Sequence, residues 1–99
     1  MTKHADITRQ NNTLQLQGDV NFANVMSIYK KSMPLIASLP ALVFDFSSLT
    51  SSHSAILALM VEWVKQATQQ SKPVQFINVS ADMLAIAKLA GLSKLFDFA

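Results

Sequence analysis

The apolar residues of this chain change period again and again, and that alternation limits its fold more than any other feature. Thr13 to Gln17 alternates strictly, with Leu14 and Leu16 on one face and Thr13, Gln15 and Gln17 on the other, the period of a half-buried strand. Ala5 to Arg9 reads as a strand before it, joined through a turn at Gln10-Asn11-Asn12. Gly18 breaks the second strand, and Asp19 or Asn21 can cap a helix over about Phe22 to Leu39. Phe22, Val25, Met26, Tyr29, Met33 and Ile36 recur at helical spacing and form its expected buried stripe. Pro34 falls inside that span, so the helix must bend or restart there, and Pro40 ends it.

The same alternation continues to the end of the chain. Ala41 to Phe46 is rich in strand formers and suits a central strand covered on both faces. A serine-rich loop follows, and then the clearest helix, from Ala55 to about Gln70. Val74 to Val79 is another short apolar strand. Ser80 is a good N-cap for a helix over Ala81 to Ala90, and Gly91 a good stop for it. The tail, Leu92 to Ala99, carries Leu92, Leu95, Phe96 and Phe98 and is expected to pack on the core as a short helix or last strand. The order β-β-α-β-α-β-α predicts an α/β fold: a four- to five-stranded mixed sheet with helices packed on it by right-handed crossovers.

Composition narrows the function classes. Ninety-nine residues, 51% of them apolar and 14% charged, fit one folded domain and are too hydrophobic for a disordered chain. The longest apolar run, Ala55 to Val61, falls far short of the ~20 residues needed to span a bilayer. The N-terminus is polar and does not read as a secretory signal. With no cysteine there is no disulfide or thiolate metal site. The net charge of +2 comes from scattered residues, with Lys30-Lys31 the only adjacent basic pair, so no nucleic-acid footprint forms. Asp45 and Asp97 are isolated carboxylates with no second acid placed for acid–base work. These patterns lead to a non-enzyme that needs no cofactor.

Four features together resemble the STAS domain, the family of sulfate transporters and anti-sigma factor antagonists. They are the step Leu14-Gln15-Leu16-Gln17-Gly18-Asp19, the strand Val43-Phe44-Asp45-Phe46-Ser47, the serine-rich loop opening a helix, and the ending Leu89-Ala90-Gly91-Leu92-Ser93-Lys94-Leu95-Phe96. Aligned on the family's loop motif, Ser51-Ser52-His53-Ser54-Ala55-Ile56-Leu57 puts Ser54 on the hydroxyl that is phosphorylated in the antagonists. His53 replaces the family's aspartate and Ile56 its glycine, which departs from the surface a kinase would recognise. The short, bare domain is most similar to the MlaB-type branch, STAS subunits that bind the ATPase of the Mla phospholipid ABC transporter. The resemblance implies a cytoplasmic protein, peripheral to the inner membrane through that complex. It implies a protein partner and neither nucleic acid nor direct membrane insertion. The alternative it implies is an anti-sigma factor antagonist, switched by phosphorylation of Ser54 and bound to a kinase-like anti-sigma factor.

The candidate site gathers around Ser54. A serine just before an apolar helical run is a normal N-cap, and the same position can contact a partner. His53 has no acid or cysteine at a metal-ligand spacing and is expected to be a surface contact beside Ala55. On the helix, Leu57, Met60, Val61 and Val64 suit packing on the sheet. Ile56, Leu59 and Trp63 form a second apolar stripe, which brings the apolar arc to roughly 200°, about twice what a one-sided helix requires. Either neighbouring helices bury that surplus or it is an interface anchored by Trp63; the interface is the expectation adopted. Ser80 joins it through the resemblance, with Asp82 and Met83 beside it.

Overall fold

A computed structural model describes residues 4–50 and 54–91. Strands β1 (Asp6–Gln10) and β2 (Thr13–Gly18) form an antiparallel hairpin, with Asn11 in the left-handed region at φ 56° in its turn. Helix α1 (Val25–Ala37), strand β3 (Leu42–Leu49), helix α2 (Ser54–Gln69), strand β4 (Val74–Ile77) and helix α3 (Ala81–Leu89) follow. The sheet has the order β1-β2-β3-β4, and β2, β3 and β4 run parallel. The fold is α/β with a four-stranded mixed sheet among the described residues, as expected; the tail beyond Gly91 lies outside them.

Among the described residues, helices cover one face of the sheet only. Ile7, Leu14, Leu16, Leu42, Phe44, Phe46 and Phe76 alternate inward and join one core cluster with Ile28 and Ile36 of α1, Met60 and Trp63 of α2, and Met83 and Ala87 of α3. The intervening residues, Gln15, Gln17, Val43, Asp45, Gln75 and Ile77, point to the opposite face and are half-buried. The expectation that β3 is covered on both faces is therefore corrected. Its apolar run is broken on the outer side by Asp45, which alternates with Phe44 and Phe46 as in any one-sided sheet.

Two features of α1 also differ from expectation. The helix does not restart at Pro34, which lies inside it, and it begins only at Val25, leaving Phe22 outside it. The N-cap is Asn24 rather than the expected Asp19 or Asn21; Asn21 Oδ1 accepts from Ala23 N–H, and Asn21 N–H donates to Asn24 Oδ1. The buried stripe is Ile28-Ser32-Ile36, flanked by Val25, Tyr29 and Met33, whereas Phe22 and Met26 are 64% and 61% exposed. Sequence pattern misses that stripe because its middle member is polar. Ser32 is tolerated there because its hydroxyl donates to Tyr29 O and accepts from Trp63 Nε1 at 3.0 Å.

Candidate partner-docking site at the carboxyl edge of the sheet

Because β2, β3 and β4 run parallel and each is followed by a helix, the starts of α1, α2 and α3 all lie at the carboxyl edge of the sheet. Gly18 closes β2 at φ 83°, where a Cβ would lie 2.2 Å from His4 O, so only glycine fits. Its carbonyl accepts from Thr50 N–H at 3.0 Å, tying the end of β2 to the residue after β3. Asp45 Oδ1 accepts from Ser47 N–H and from Asn78 Nδ2, which links the ends of β3 and β4. Burial pushes the Asp45 carboxyl up, but the hydrogen bonds from Asn78 and Ser47 outweigh it and hold the group below its ordinary value. Asp45 thus braces the edge on which the helices begin.

Ser54 is exposed and is the first residue of α2. In sequence Ser54 is the expected N-cap of this helix; the residues before it, Ser51 to His53, lie outside the described residues. Ser80 does cap α3: its Oγ accepts from Met83 N–H at 3.1 Å. Gly91 closes that helix in the left-handed region, as its sequence position suggests.

The second stripe of α2 is a correction. Ala55, Ile56 and Trp63 are fully buried and Leu59 is 2% exposed. Trp63 stacks on Phe44 with ring centroids 4.1 Å apart, and Ile56, Met60, Trp63 and Ala67, spaced four, three and four apart, form the buried sheet-side row. Val61 and Val64, expected against the sheet, are only half-buried. The physical reason is position: α2 packs against α1 on one side and α3 on the other, so a central helix needs an apolar arc about twice as wide as an edge helix. Ala55, Ile56, Leu59 and Trp63 are core residues of the free chain rather than a surface waiting for a partner. Loss of binding on substituting Trp63→Ala or Ile56→Asp would report unfolding.

The accessible face of α2 is a different row. Ser54, Ala58 and Glu62 recur every four residues; the first two are exposed and Glu62 is half-buried. Ala58, Leu59 and Glu62 line one wall of a groove of about 280 Å³, with Val25, Met26 and Tyr29 of α1 as the other. Tyr29 is held by a hydrogen bond from Gln66 Nε2 to its hydroxyl. This groove is absent from the sequence reading. The faint signal for it is Ala58, a small residue on the outer row, opposite the misassigned Met26.

Among the described residues no group of three or more His, Cys, Asp or Glu side chains could hold a metal, and no helix is long and apolar enough to cross a membrane. Lys31 pairs with Asp6, and Lys30 is exposed.

Comparison with known proteins then gives the site a context. The family model described as "Mlab, STAS domain" matches residues 4–97. A chain of the Acinetobacter MlaFEDB complex in an ATP-bound conformation is 28% identical, with a TM-score of 0.78, over 92% of this chain and 97% of that one. The Bacillus cell fate determinant SpoIIAA in its phosphorylated form is 15% identical, with a TM-score of 0.68, over 97% and 91%. A putative anti-sigma factor antagonist from Thermotoga maritima is 13% identical, with a TM-score of 0.75, over 93% and 82%. No curated protein matches the chain in sequence.

Proposed function

Since the chain belongs to the MlaB-type STAS domain family, we propose that it works as a non-catalytic subunit of a transporter complex. Its partner is the cytoplasmic ATPase of an Mla-type phospholipid ABC transporter, which maintains the lipid asymmetry of the outer membrane. The chain sits in the cytoplasm, peripheral to the inner membrane through that partner, and stabilises or regulates it. The observation that carries this reading is the likeness to a chain of the Acinetobacter MlaFEDB complex, at 28% identity over 97% of that chain, against 15% for SpoIIAA. The carboxyl edge supports it, with Ser54 exposed at the head of α2 and the start of α3 at the same edge. His53 and Ser80 are its other proposed contacts.

A second reading is an anti-sigma factor antagonist. It is favoured by the exposed hydroxyl of Ser54 at a helix start, where phosphorylation would add about two negative charges and disturb an apolar contact. Ile56 does not argue against it, because its side chain is buried and leaves the surface around Ser54 unchanged. The replacement of an acid by His53 still does.

The test is to mix the purified protein with the transporter's ATPase subunit and follow co-elution and ATP hydrolysis. A stable complex with altered hydrolysis is expected. No complex with the ATPase, together with binding to a kinase-like anti-sigma factor and phosphate on Ser54, would overturn the first reading in favour of the second.

A further inference from the structure

The groove between α1 and α2 has a chemistry that selects its occupant. Val25, Met26, Tyr29, Ala58 and Leu59 make it apolar, and Glu62 is the one charged residue lining it among the described residues. Its volume, about 280 Å³, has room for a single large side chain. Glu62 contacts Lys65 only at 3.4 Å, and both side chains are about half exposed, so the carboxylate can exchange that weak contact for a new one. Met26, 61% exposed, offers a flexible thioether that can close over an incoming group, while Tyr29 is fixed by Gln66.

We infer that the groove receives an amphipathic helix of the partner, which inserts a large aliphatic or aromatic side chain against Ala58 and Leu59 and sets a Lys or Arg against Glu62. The arrangement is a helix-in-groove contact in which apolar anchoring gives affinity and the ion pair gives register. It rests on the docking reading above, because Ala58 and Glu62, which line the groove, stand on the same row of α2 as Ser54.

The test combines three variants with one crosslink, using the full-length protein and the purified transporter ATPase. Ala58→Phe fills the groove and Glu62→Lys reverses its charge. Both positions lie on the outer row, and melting curves confirm folding. Each is expected to weaken binding about tenfold. A photo-reactive phenylalanine at Met26 is expected to crosslink to a helical segment of the ATPase carrying an apolar residue and a Lys or Arg about one turn apart. Ser54→Trp separates the two ideas. If it abolishes binding while Ala58→Phe and Glu62→Lys bind normally, the groove inference fails and the docking reading stands. If none of the three matters, both fail. Should Ala58→Phe melt early, Glu62→Lys and the crosslink decide alone, and a crosslink to a second copy of this chain overturns the inference.

Discussion

Gly18 and Ser32 show how single positions hold this fold together by opposite means. Gly18 is required for what it lacks: a side chain there would strike the backbone of His4 and Ala5 and would also sit at φ 83°. Gly18→Ala is expected to cost at least about 2 kcal/mol, measured as a shift in the urea midpoint at unchanged slope. Ser32 is required for what it offers, since Trp63 Nε1–H has its acceptor there in a fully buried site. Ser32→Ala should lower stability by about 1–3 kcal/mol by orphaning that donor. Combining it with Trp63→Phe should cost less than the sum of the two single changes, because the second removes the donor that the first left unpaired.

At the scale of elements, helices and strands were legible wherever one period dominated. β2, β3, α2 and α3 sit within a few residues of where alternation, helical spacing, Ser80 and Gly91 place them. What stayed hidden was the rotation of each helix. α2 is apolar over so wide an arc that its sequence fits two orientations, and only the presence of α1 and α3 on both sides selects the one with Trp63 on the sheet. In α1 the polar Ser32 interrupts the true stripe, while Phe22 and Met26 complete a false one. The end of α2 carries a clear local test. Ser71 N–H bonds to Thr68 O and Lys72 N–H to Ala67 O, a Schellman closure with Ser71 at φ 54°. Glycine relieves the left-handed strain at the cost of a looser unfolded chain, so Ser71→Gly should stabilise by about 0.5 kcal/mol, read from the same urea titration.

For the molecule as a whole, a single helical layer on one face of the sheet brings the helix starts to one edge, and among the described residues two carboxylates carry acid sensitivity. The hydrogen bond from Lys31 holds the Asp6 carboxyl below its ordinary value, and Asp45 is held low by Asn78 and Ser47 against the opposing effect of burial. Groups whose folded-state values are depressed contribute fully above their unfolded value, near pH 4, and lose that contribution as pH falls through the folded one. Stability should therefore be level from pH 7 to about pH 5 and fall below about pH 4, and Asp45→Asn should flatten the acid limb. The gathering of the helix starts at the carboxyl edge follows from the order of strands and helices, so it was readable. The groove was not, since it depends on how two helices are turned.

Trp63, the one tryptophan of the chain, is sealed against Phe44 and bonded to Ser32. Its emission consequently belongs to the interior alone: blue in wavelength, shielded from iodide, and changed only when the packing around it changes. A partner that merely settles on the outer row of α2 would leave this light untouched. One that shifts its colour must have moved α1, α2 or the sheet around it, so a fluorimeter can tell a passive platform from a subunit that transmits strain.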